Sequence, residues 1–391
     1  MSELLVKCLV FLLLLAGGVQ AQDEGPVVPC SYCQNKGFKP CKKHKRSTLE
    51  LEQDGVCEFC SDFAECSQCG GVAERDCVHC TNPSVEARHE HERKRIAAWL
   101  ETRRKKVDAL VQHRVLHGSS KNFDLVFDLK PMKVGKVVFS THRLMHLYLE
   151  RLEDLRALFR KTLQLGRGEI PIRHQIFIWR DGRDQSLAAP KFAGLGSHGV
   201  GVKLLGSGSV YTMLFDKSKI RGDKGLHRNV VHNVTHLLLS NAVPMQWIGQ
   251  LKGGWVDAGL AHYFEYLLDE RCTNYCYQEV ATNLSFKGGK WLVPIRRKVS
   301  GDGELPSFAS VSGKNTDQLD PLEHALSFSW VHFLFEGDFA ESGKGKKFTR
   351  LTRVLKKKRP TRDALKAVYG WTSFAFEEKW KAWVVKTYPT R

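Results

Sequence analysis

Two sets of residues in this chain have the types and spacing to do metal chemistry. The first is the stretch VVHNVTHLLLSN over residues 230–241, where His232 and His236 stand four apart in an apolar run. A four-residue step stacks two imidazoles on one face of a helix, where both can hold one zinc ion. Leu226, Val230, Val234, Leu237 and Leu238 recur at the spacing that predicts such a helix. A zinc hydrolase also needs a carboxylate beside the pair to take a proton from metal-bound water, and Asn233 follows the first histidine. An amide has no proton-accepting equilibrium near neutral pH, so Asn233 cannot be that base.

The second set is a run of pairs spaced by two residues: Cys30 and Cys33, Cys41 and His44, Cys57 and Cys60, Cys66 and Cys69, Cys77 and Cys80. A tight turn aims two such ligands at one tetrahedral ion, and two turns close a structural zinc site. Nine cysteines cannot all pair as disulfides among themselves, whereas nine cysteines with His44 make five complete ligand pairs. Two zinc ions use four of the five. The preferred grouping is Cys57, Cys60, Cys77 and Cys80 around one ion and Cys30, Cys33, Cys41 and His44 around another, with Cys66 and Cys69 unassigned; a crossed grouping stays open.

Beyond the histidine pair, WVDAGLAHYFEYLL begins at Trp255. With His232 and His236 it resembles the gluzincin metallopeptidases, and among them the peptidase-MA-like domains of secreted bacterial proteins. Their pattern is His-Glu-x-x-His, then a second helix beginning Trp-x-x-Glu-Gly-x-Ala-x-Tyr. Here His232, His236, Trp255, Gly259, Ala261 and Tyr263 match. The resemblance implies an α+β, zincin-type domain with a mixed sheet, a metal-site helix and a mainly helical C-terminal part. It also implies that the catalytic glutamate falls on Asn233 and the third-ligand glutamate on Ala258, whose methyl group coordinates nothing. Two histidines alone hold zinc weakly, since catalytic zinc ordinarily has three protein ligands. Asp257 and His262 are the candidate substitutes, with Asp257 or Glu265 as a replacement base. The turns CSYCQNKG and CSQCGG are similar, in part, to the zinc repeats of Hsp40 chaperones.

The elements that must position these residues divide the chain into four parts. Residues 1–21, with an apolar run and a Val19-x-Ala21 ending, read as a secretory signal. Residues 22–83 form the cysteine-rich, zinc-stapled module. Residues 84–118, rich in charge with Ile96, Leu100, Val107 and Leu110 near helical spacing, predict a solvent-washed connecting helix. Residues 119–391 mix strand-like runs such as HQIFIW with long amphipathic segments and predict one α+β domain. Cys272 and Cys276, four apart, are spaced either to close a short disulfide or to stand as two buried thiols.

Charge and composition narrow the partners. The chain of 391 residues is 42% hydrophobic, which excludes a disordered protein, and carries a net charge of +18. No segment after the leader reaches the ~20 apolar residues of a membrane span. The basic runs near Lys105, Lys219 and Lys357 are far apart in sequence and define no single groove. The expected function is that of an exported, noncatalytic pseudopeptidase binding a peptide, a protein or an anionic surface polymer. The alternatives are an active zinc hydrolase with an unusual ligand set and a basic zinc-finger protein that binds nucleic acid; export argues against the last.

Overall fold

The computed structural model describes residues 29–42, 58–196, 201–274, 287–301, 305–339 and 343–391. The predicted signal segment, His44, Cys57 and Cys276 lie outside them. Within the cysteine-rich part, strand β1 (Phe38–Pro40) pairs antiparallel with β3 (Glu74–Asp76), Phe38 facing Asp76 and Pro40 facing Glu74. Between them in sequence lies β2 (Phe59–Cys60), which leaves this hairpin and joins the main sheet.

Helix α1 (Pro83–Arg103) follows, started by the Asn82 side chain, which accepts from the Val85 N–H, and by proline in the first turn. It is the predicted connecting helix, but one side of it is docked rather than washed by solvent. His89 is fully buried, with Nδ1 2.5 Å from Asp76 Oδ1 and Nε2 2.9 Å from Glu74 Oε2. Ile96 fills the space over Gly71. The helix passes through a π-helical turn at Arg104–Asp108 into strand β4 (Leu116–Ser119).

The main sheet has six strands in the order β2-β4-β5-β8-β10-β9, with β5 at Phe123–Asp128, β8 at His174–Trp179, β9 at Gly201–Leu204 and β10 at Val210–Leu214. The small hairpin of β6 (Met132–Val134) and β7 (Val137–Phe139) stands apart from it. Strands β5, β8 and β10 run parallel; β2, β4 and β9 are antiparallel to their neighbours, so the sheet is mixed. Buried Ile176, Phe177, Ile178 and Trp179 show why β8 reads as a nearly unbroken apolar run: it is covered on both faces.

Helix α2 (Thr141–Thr162), capped by Ser140, lays Leu144, Met145, Tyr148, Leu149, Leu152 and Phe159 into the core. Its approach to β4 is close: a Cβ on Gly118 would stand 2.9 Å from Leu149. The C-terminal half is helical. Helices α3 (Gly222–Asn241) and α4 (Gly254–Asp269) pack on each other and on α6 (Pro321–Glu336), while α5 (Leu292–Ser300), α7 (Lys344–Lys356), α8 (Thr361–Tyr369) and α9 (Ser373–Thr387) complete the layer. Buried on every side, α6 starts at a capping box of Asp320 and Glu323. Trp380 and Trp383 of α9 are buried against it, and Trp371 packs at the margin. Among the described residues no helix is long and apolar enough to cross a membrane.

Candidate metal centres

The β1–β3 ladder decides which cysteines meet. By setting Phe38 opposite Asp76 it brings the turn at 30–33 against the turn at 77–80, beyond one end of the hairpin. Cys30 Sγ lies 3.9 Å from Cys77 Sγ and Cys33 Sγ 3.3 Å from Cys80 Sγ, with all four sulfurs within 4.8 Å of one another. Four sulfurs about 2.3 Å from a tetrahedral ion stand about 3.8 Å apart, so this group has the size of a metal site and is far too open for ~2.05 Å disulfide bonds. At the other end of the hairpin the Cys41 N–H donates to Ala73 O, and Cys41, Cys66 and Cys69 form a second group, with Cys41 and Cys66 sulfurs 4.0 Å apart. Gly70 and Gly71, at φ of +54° and +90°, turn the chain after Cys69 where a side chain is disfavoured.

These contacts correct the preferred grouping. Cys77 and Cys80 join Cys30 and Cys33, not Cys60; Cys41 joins Cys66 and Cys69, the pair first left unassigned. The crossed grouping prevails because β1 and β3 join the two ends of the module, and a three-residue ladder leaves no periodic mark in the sequence. Cys60, on β2, is carried away from both groups: its Sγ is 3.5 Å from His142 Nε2 on α2.

Electrostatics fit a cation in each group. Backbone N–H groups of Cys33 and Tyr32 hold the Cys30 thiol down at about 7, while its neighbour Cys33 helps push Cys80 well up. In the second group burial pushes Cys69 up to about 12; Cys66 is lowered, its burial outweighed by backbone donors at Gln68 and Cys69. Each group thus pairs thiols that ionise readily with one that resists, and a bound divalent ion would let all of them ionise together.

The histidine pair lies on α3, as the apolar spacing predicts. The Nε2 atoms of His232 and His236 face each other at 3.4 Å, close to the ~3.3 Å expected of two imidazoles sharing an ion at about 2.05 Å. Each ring is backed at its other nitrogen by a carboxylate from α4: Glu265 Oε2 stands 3.3 Å from His232 Nδ1 and Asp257 Oδ1 stands 3.0 Å from His236 Nδ1. Such outer carboxylates fix ring orientation in metal sites. Asp257 also accepts from Trp247 Nε1 and Thr316 Oγ1, both at 2.8 Å. Glu265 accepts from the N–H of Thr273 at 2.5 Å and from the side chains of Thr273 and Asn274. Burial raises both carboxyls, but the neighbouring imidazoles outweigh it: His236, helped by Trp247 and Thr316, holds Asp257 below its ordinary range, and His232 and His262 hold Glu265 down at about 2.

The remaining predicted positions sit around this pair. His262 presents Nδ1 to Glu265 Oε2 at 3.6 Å and Nε2 to His324 Nδ1 at 3.0 Å, and burial holds its imidazole well below its ordinary value. His232, His262 and Glu265 thus place one ligand atom each within 4.8 Å of the others. Ala258 is fully buried. Asn233 is held from two sides: its Nδ2 donates to Asn229 O at 2.8 Å, and Lys203 Nζ on strand β9 donates to its Oδ1 at 2.7 Å. Cys272 is buried, with Sγ 3.4 Å from His262 O.

Sequence reasoning missed Lys203, His324, Trp247 and Thr316, which reach the site from distant segments and carry no local pattern. It also missed His142 and His146, although their four-residue step is the same signal that marks His232 and His236. No family model and no curated protein matches this chain.

Proposed function

We propose that this protein is a noncatalytic, gluzincin-like binding protein whose N-terminal module is stapled by zinc and whose predicted leader directs it to export. One observation carries the reading. At the position of the catalytic glutamate stands an amide, Asn233, whose oxygen is already engaged by Lys203 at 2.7 Å. The expected third ligand is the buried methyl of Ala258. Asp257 and Glu265 contact the outer nitrogens of the histidine rings, so neither carboxylate is poised over the face where Nε2 would hold an ion and its water. Loss of a positioned general base removes on the order of 10² to 10⁴ in rate.

The face that survives is the sheet edge. Strand β9 ends the sheet and runs beside the histidine helix, linked to it by Lys203. A terminal strand pairs with an extended peptide through backbone hydrogen bonds, and a net charge of +18 favours an acidic one. The test is to incubate the purified, zinc-loaded chain with an unbiased peptide mixture. Binding of extended acidic peptides without cleavage is expected; zinc-dependent cleavage that disappears in His232→Ala overturns the reading. The rival, an active hydrolase, draws support from the Nε2 spacing and the two backing carboxylates, and the same assay decides between them.

A further inference from the structure

We infer that Cys60, His142 and His146 form a further metal site, distinct from both cysteine groups and from the histidine pair on α3, that fastens the cysteine-rich module to the main domain. One ligand atom from each of the three lies within 4.8 Å of the other two. Cys60 is the last residue of β2 and 1% exposed. His142 and His146 are one helical turn apart on α2, their ring centroids 4.5 Å apart. The step of four residues aims both imidazoles at the same side of the helix, and that side faces the Cys60 sulfur.

Three features point to an ion rather than to ordinary packing. First, His146 is 1% exposed, yet neither of its ring nitrogens has a hydrogen-bond partner among the described residues. A buried imidazole without partners is costly, and a cation at Nδ1 or Nε2 would satisfy it. Second, His142 is oriented as a ligand held from behind: Nε2 faces Cys60 Sγ at 3.5 Å while Nδ1 faces Asp62 Oδ2 at 3.9 Å. Third, the Phe63 ring packs against both imidazoles at T-shaped angles, with centroids 5.0 and 5.5 Å away, and so gives the group an apolar neighbour. One thiolate and two imidazoles suit a borderline-soft divalent ion such as Zn2+, bound as the Cys60 thiol gives up its proton.

The position of the group gives it a role. Strand β2 is a two-residue pairing at the end of the sheet, Phe59 facing Ser119 and Cys60 facing Gly118. So short a ladder holds an edge weakly. An ion bridging Cys60 to α2 pins that strand to the helix that packs on the same sheet.

Zinc content of the purified full chain, measured beside Cys60→Ser and His146→Ala, tests the inference. Each variant should bind one ion fewer per chain than the native protein. Cobalt loading should show a thiolate-to-metal band in the native protein that is weakened in each variant. If His146→Ala does not fold, His142→Ala, at a position 21% exposed in its side chain, gives the same reading. Equal metal content in the native protein and the folded variants overturns the site.

Discussion

At the scale of single residues the molecule holds an ordered, buried polar network behind His232 and His236. Asp257 is fully buried and receives Trp247, Thr316 and His236 together. Asp257→Ala would take the acceptor from buried Thr316 and His236 and from half-buried Trp247, so a loss of about 3–5 kcal/mol is expected in urea denaturation. Asn233→Glu is a different case. Lys203 already points an ammonium group at this position, and a carboxylate there gains an ion pair in place of an amide contact. The expected change in stability is within about 1 kcal/mol, read from thermal melting. Peptide hydrolysis should stay absent in that variant, because Ala258 still supplies no ligand. The histidine spacing, and the amide and methyl side chains at Asn233 and Ala258, were legible in the sequence. Lys203 was not, because a lysine on a short strand has no reason to face one helix residue rather than another until the sheet and helix are packed.

Among the elements, the crossing of α4 and α6 is set by a missing side chain. A Cβ on Gly259 would come within 2.4 Å of Ser327 O and 2.6 Å of Val331 Cγ2. Gly259→Ala must therefore push two buried helices apart, and about 1–3 kcal/mol of destabilisation is expected in a denaturant titration. Because α4 carries Asp257 and Glu265, the same displacement should loosen the support behind His232 and His236 and lower any zinc affinity there. The histidine helix and the connecting helix were predictable from apolar spacing. Their depth of burial was less so: α1 reads as charged and solvated, yet it seats His89 between Asp76 and Glu74. An isolated histidine in a charged run looks like surface, and only the fold of the module beneath it makes it a fastening.

For the whole molecule, two predictions concern conditions rather than variants. Burial holds His174 and His332 down at about 4, and His227 is held there by burial together with the Arg151 guanidinium. The unfolded chain takes up protons near the ordinary value of about 6.5 that the folded chain refuses. Stability from this source is thus fully present above pH 6.5 and is lost progressively as pH falls toward 4. Each group contributes a slope approaching about 1.4 kcal/mol per pH unit within that window. Urea midpoints between pH 7 and pH 4.5 should follow this fall, and His174→Gln should flatten it. Removal of metal should act on one part of the chain. A chelator should open residues 58–82 to limited proteolysis while helical circular dichroism persists, since Cys60 is the one sulfur of that segment in the main core, whose bulk comes from the apolar side chains of α2, α3, α4, α6 and the central strands.

The sequence by itself determined that this chain has cysteine pairs, a helix with His232 and His236 one turn apart beside Asn233, and a body of mixed helix and strand, because each depends on residue type and on spacing along a single element. The tertiary structure alone decided which cysteine pairs stand together, what holds Asn233, and that Cys60 meets α2. Those are long-range contacts, fixed by strand register and helix packing, and local periodicity carries no record of either.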